Sequence, residues 1–156
     1  MTTEHQSQER VYQKYAWVIL FLLSILLLVN ITFVALFEDH PSEFAKDTGA
    51  TWSALTSAYP GVAAAYTFQQ HLVYAAFASL ALFAVLTSYF GLRKGYRWAW
   101  FSLWLLPAML ILTTLLFFLQ SRQPGVGFIY GTYALVSVIA LLLPGRKILS
   151  RQSWSQ

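Results

Sequence analysis

Cysteine is absent from the chain. Disulfides, thiolate metal sites and thiol redox chemistry are therefore excluded together. Charge is scarce: 10% of the residues are Asp, Glu, Lys or Arg, against 58% hydrophobic. A soluble domain carries about 25% charged and roughly 45–50% apolar residues. So few charges cannot clothe a water-facing surface, and most of the solvent must be lipid. The 156 residues suffice for one domain. No internal repeat or low-complexity segment divides it.

The scarce charge is also confined. Four apolar runs, at about 15–37, 70–92, 97–120 and 126–144, contain no Asp, Glu, Lys or Arg beyond Arg97 at the head of the third. That absence argues against a proton-coupled carrier with a carboxylate relay and against a pore ringed by charges. About 20 apolar residues cross a hydrocarbon core of roughly 30 Å, and each run is read as a span. Lys14 and Glu38-Asp39 bound the first, which is too long for the apolar core of a cleaved signal peptide and reads as a retained anchor. The second helix begins earlier than its apolar run, near Pro60, because proline is tolerated in a first turn. Pro107 is predicted to kink the third span near its middle. Pro124-Gly125 and Pro144-Gly145 punctuate the two ends of the fourth. The fold class that follows is all-α, an up-and-down four-helix transmembrane bundle.

Orientation follows from basic residues in short connections. The N-terminal tail has Arg10 and Lys14, the second connection Arg93, Lys94 and Arg97, and the C-terminal tail Arg146, Lys147 and Arg151. An even number of spans puts these eight on one face, leaving only Lys46 and Arg122 on the other. Both termini are expected in the cytoplasm, with a bacterial or archaeal plasma membrane as the location. The same scatter of basic residues explains the +4 net charge without nucleic acid as a partner. The expected partners are membrane lipids, and other membrane subunits or a second copy of the chain.

The outer loop, 38–59, holds Trp52, Leu55 and Tyr59 at helical spacing. This predicts a short helix in the outer interface, with an irregular loop as the alternative. The inner turn from Gly91 to Trp100 reads as a tight connection made by Gly91 and Gly95. Arg93, Lys94 and Arg97 would meet headgroups there, and Tyr96, Trp98 and Trp100 would anchor the interface. This Gly/Arg-rich turn, running into Arg97-Trp98-Ala99-Trp100, resembles that of a loose group of small, uncharacterised four-span prokaryotic membrane proteins. The resemblance covers about Tyr59–Leu110. It implies the architecture and no activity.

Close packing needs small residues, and Gly127 and Gly131 form a G-x-x-x-G on the fourth span. Packing within the chain and a dimer interface both fit. Ala75, Ala78 and Ser79 form a similar small face on the second span.

No catalytic constellation, metal site or cofactor is expected. A b-type haem needs two imidazoles facing each other on spans, and His71 alone borders one. His40 beside Glu38, Asp39 and Glu43 reads as a solvated acidic loop rather than a metal site. Asn30-Ile31-Thr32 matches a glycosylation sequon but lies within the membrane. Uncharged polar residues gather in the outer halves of the spans: Asn30, Gln69, Gln70, His71, Thr113, Thr114, Tyr130, Thr132 and Tyr133. They either line a cavity under a Trp52–Tyr59 lid or satisfy one another between helices. The candidate ligand-binding residues are Asn30, Gln70, His71 and Tyr133. The leading function on these grounds is a non-enzymatic accessory or scaffold component. The alternatives are an outer-leaflet lipid or quinone binding protein or enzyme, and an oligomeric channel or carrier built through Gly127 and Gly131.

The orientation is testable with two reporters. Green fluorescent protein fused after Gln156 should fluoresce, and alkaline phosphatase inserted at Ser57 should be active. The opposite pair of results would overturn the charge-based assignment.

Overall fold

The computed structural model describes residues 2–37, 44–45, 48–120 and 124–150. The order is α1 (Thr2–Phe37), α2 (Trp52–Ala58), α3 (Pro60–Leu86), a π-helical turn (Thr87–Gly91), a 3₁₀ turn (Leu92–Lys94), α4 (Arg97–Leu103), α5 (Leu105–Gln120) and α6 (Pro124–Ser150). No strand occurs among the described residues. Four stretches are long and apolar enough to cross a membrane: Tyr15–Phe37, Pro60–Lys94, Arg97–Leu119 and Gly125–Gly145. The chain is a multi-pass integral membrane protein with a four-helix bundle fold.

Neighbouring spans run antiparallel. At the end that holds the α3–α4 turn, Tyr89 packs on Trp17 and Phe21 near the start of the first span. At the opposite end, Gly127 of α6 lies against Phe117 and Phe118 of α5. The stripe that α1 buries is Ala16, Leu20, Ser24, Leu27 and Ile31, spaced at the helical period. Leu22, Leu26, Val29, Phe33 and Leu36 lie exposed on its other faces. An apolar surface of that extent belongs against acyl chains. The core joins this stripe to Ala81 and Ala84 of α3, Leu103, Leu106 and Leu110 of α4 and α5, and Ala134, Ala140 and Leu141 of α6.

Small residues set how closely α3 approaches its neighbours. Of the expected face, Ala78 packs against the core while Ala75 and Ser79 are exposed; the buried small residues are Ala81, Ala84, Thr87, Ser88 and Gly91. A Cβ on Gly91 would collide with that of Ala99. Its carbonyl also accepts the Tyr96 N–H at 3.1 Å, closing the turn. Gly95 serves for a different reason. It caps the 3₁₀ turn at φ 77°, a left-handed conformation in which glycine carries no steric penalty.

Two prolines act differently from expectation. The third span, whose midpoint is Ala108, breaks at Trp104, one turn before Pro107. Pro107 has no N–H for the Leu103 carbonyl, and its ring crowds that turn. Trp104 then bonds back to Phe101 over three residues, at 3.2 Å. Pro144 does not stop the fourth helix, which continues to Ser150. Instead the Pro144-Gly145 step makes a socket. The Trp100 indole lies over Gly145, where a Cβ would sit 3.3 Å from the ring. Its Nε1–H donates to the Leu141 carbonyl at 2.8 Å.

Trp100 is therefore not an interfacial anchor. It is 8% exposed, in the core cluster. The reason is lateral: α6 supplies both a flat surface and an accessible carbonyl. Tyr96 and Trp98 are exposed and stacked on each other, 6.5 Å apart. Arg93 lies over the Trp17 and Tyr89 rings, at 5.3 and 5.2 Å, close enough for a cation–π attraction.

Trp100→Phe keeps most of the ring but removes the bond to Leu141. It should destabilise the detergent-solubilised protein by about 1–2 kcal/mol, read as a lower Tm. An unchanged Tm would show that this bond does not hold α4 to α6.

Candidate functional site

Most hydroxyls in the spans turn inward to their own helices, whereas Ser88 Oγ is buried without a partner. Thr32 bonds to the Leu28 carbonyl, Thr113 to Met109, Thr114 to Leu110, Thr132 to Phe128 and Ser137 to Tyr133, all at 2.7–2.9 Å. Each satisfies its donor four residues back along the same helix. These residues therefore do not form the network between helices that their clustering suggested.

The amides behave differently. A cavity of about 720 Å³ lies between the four spans at the end of the bundle away from the α3–α4 turn. Its polar groups are Asn30 of α1, Gln69 and Gln70 of α3, Thr113 of α5 and the hydroxyls of Tyr66, Tyr74 and Tyr130. Apolar walls come from Ile31, Phe33, Val34 and Phe37 on α1, Val73 and Phe77 on α3, Phe117 on α5, and Val126 and Ile129 on α6. The volume falls within the roughly 300–1,000 Å³ of small-molecule sites. The space arises because α3 and α5 scarcely touch, while α5 packs extensively on α6 and α1 packs on both α3 and α6.

Tyr130 ties three of the four walls together. Its ring stacks between Phe77 of α3 and Phe117 of α5, at 6.0 and 5.8 Å with interplanar angles of 28° and 26°. Above it on α3, Gln70 donates from Nε2 to the Tyr66 hydroxyl oxygen at 2.7 Å. Its Oε1 is buried without a hydrogen-bond partner. Tyr66 in turn packs edge-on against Phe44, at 5.3 Å, and tilted against Trp52, at 5.9 Å. Phe44 is 7% exposed beneath this cluster.

The Trp52 segment thus rests on a wall of the cavity. Its helix starts at Trp52, where the Thr51 side chain caps it by accepting from Ala54 N at 3.3 Å. The helical spacing of Trp52 and Leu55 is realised, while Tyr59 falls just beyond the helix and is exposed. Glu38, Asp39, His40 and Glu43 lie outside the described residues.

Of the candidate residues, the fold brings Asn30 and Gln70 to one cavity. His71 is exposed on α3 and does not line it. Tyr133 is half-buried against the core cluster, also away from the lining. Gly127 and Gly131 face α5 of the same chain, with Thr114 against Gly131. Sequence reasoning missed the aromatic wall of Tyr66, Tyr74, Phe77 and Phe117. Its signal was present: Tyr66, Gln70, Val73 and Phe77 follow at intervals of four, three and four, one face of a helix. No family model, curated protein or solved structure matches the chain.

Chemically, such a site can sandwich a ring or an acyl chain between aromatic faces and bond a neutral polar group. Gln70→Leu removes a buried unpaired acceptor along with one hydrogen bond. The unliganded protein should therefore stay within about 1 kcal/mol of the parent stability in detergent. A loss of more than about 2 kcal/mol would make Gln70 a packing element instead.

Proposed function

We propose that this protein binds an amphipathic molecule, of lipid or quinone type, taken from the outer leaflet of a bacterial or archaeal plasma membrane. Both termini then lie in the cytoplasm, and the cavity faces outward. The observation that carries the reading is the amide wall. Gln70 Oε1 is buried without a hydrogen-bond partner, and Asn30 and Gln69 line the same cavity. In hydrocarbon each unsatisfied polar group costs several kcal/mol. The threonines of the outer halves are satisfied within their own helices, and Ser88 Oγ, packed at the opposite end, is the other buried side-chain atom without a partner. Amides held around an open volume are instead consistent with groups supplied by a guest.

The accessory or scaffold role that the sequence favours remains the second reading. Its support is the wide apolar surface of all four spans, on which a partner helix could rest. It does not account for the amide wall. A channel built through Gly127 and Gly131 has less support, because α5 of the same chain already covers both glycines.

Native mass spectrometry of the protein, extracted from its own membrane in mild detergent, separates these readings. We expect a small molecule at one per chain, lost in Gln70→Leu. A stoichiometric protein partner, with no small molecule in the parent, would favour the accessory role and sink the binding reading.

A further inference from the structure

We infer that the cavity selects an uncharged amphiphile whose head group carries a hydroxyl. This rests on the cavity being a ligand site and narrows what it takes. The first argument is charge. Among the described residues, no Asp, Glu, Lys or Arg lines the cavity. The cations among the residues with described side chains, Arg93, Lys94 and Arg97, all lie in or beside the turn at the opposite end of the bundle. A carboxylate or phosphate in the cavity would lose its hydration without a counter-charge, and an ammonium would fare no better.

The second argument is the direction of the hydrogen bonds. Gln70 spends one of its two N–H groups on Tyr66, and its acceptor Oε1 has no partner. Terminal amide torsions are broad, so a modest turn presents Oε1 to the cavity while Nε2 keeps Tyr66 in reach. An acceptor needs a donor, and the neutral donor most common on membrane amphiphiles is a hydroxyl. A quinone carries only acceptors and leaves Oε1 unpaired, whereas a quinol or an acylglycerol satisfies it. Asn30 and Gln69 each offer both a donor and an acceptor to a second oxygen of the head group. Below them the guest's ring or chain meets Phe77 and Phe117.

Three probes with the same dodecanoyl tail test this on the purified full chain in an uncharged detergent. They are 1-dodecanoylglycerol, its di-O-methyl ether and dodecanoate, each titrated by native mass spectrometry. The acylglycerol should bind at one per chain, about tenfold or more tighter than the other two. Gln70→Leu should erase its advantage over the methyl ether. Asn30→Leu should weaken the acylglycerol and the ether alike. Leu72→Ala, an exposed position outside the lining, should change nothing.

Equal binding of dodecanoate would overturn the exclusion of charge while leaving a binding site in place. Equal binding of the methyl ether would likewise overturn the hydroxyl requirement alone. An advantage that survives both Gln70→Leu and Asn30→Leu would put the selecting groups elsewhere. Binding of none of the probes would overturn the selection and count against the binding reading with it.

Discussion

A hydrocarbon interior offers no water, so every polar group placed in it must find its partner within the chain. The rest of the structure depends on that condition. It makes the spans helical, since a helix satisfies its backbone internally. It also turns most serine and threonine hydroxyls back onto their own carbonyls, Ser88 excepted. Prolines break the internal accounting, and the chain departs from the regular pattern near each of them. Beside Pro107 the chain tightens at Trp104, and beside Pro144 an indole N–H arrives from α4. Against this background the amides of Asn30, Gln69 and Gln70 stand apart, gathered around one cavity with Gln70 Oε1 unpaired.

The two ends of the bundle solve the packing problem in opposite ways. Near the α3–α4 turn, Ala81, Ala84, Ser88 and Gly91 let backbones come together, and Trp100 fills the step at Gly145. Dispersion contacts of this kind are what hold helices together where lipid is as apolar as leucine. Toward the other end the residues on α3 become large. Tyr66, Tyr74 and Phe77 hold the helices apart where alanine brings them together. The cavity is the geometric outcome of that gradient in side-chain volume along one helix.

Much of this was legible in sequence, because it rests on properties local to each segment. The scarcity of charge located the spans, Pro60 located the start of α3, and Trp52 with Leu55 located α2. Asn30 and Gln70 could be singled out because an amide within an apolar run is conspicuous. What escaped depends on who stands across the gap. Trp100 reads as an interfacial anchor until α6 is placed beside it, and Pro144-Gly145 reads as punctuation until an indole occupies the step. His71 and Tyr133 share a depth with the cavity but not a direction. Small rotations about a helix axis decide that, and sequence spacing resolves them poorly across four helices.

The length of α3 carries one more implication. With the turns that follow it, the segment Pro60–Lys94 has 35 residues. At about 1.5 Å per residue it reaches roughly 50 Å, well beyond a hydrocarbon core of about 30 Å. Tilt alone does not absorb that excess, and the Pro60 end must rise into the headgroup layer. Gln69 and Gln70 lie nearer that end than Phe77 does, with Gln70 Oε1 buried. A guest in this cavity would stand as it already stands in the leaflet, head up and tail down. Loading would be a sideways step at constant depth, and a thinner or thicker bilayer would tune it by raising or lowering the rim.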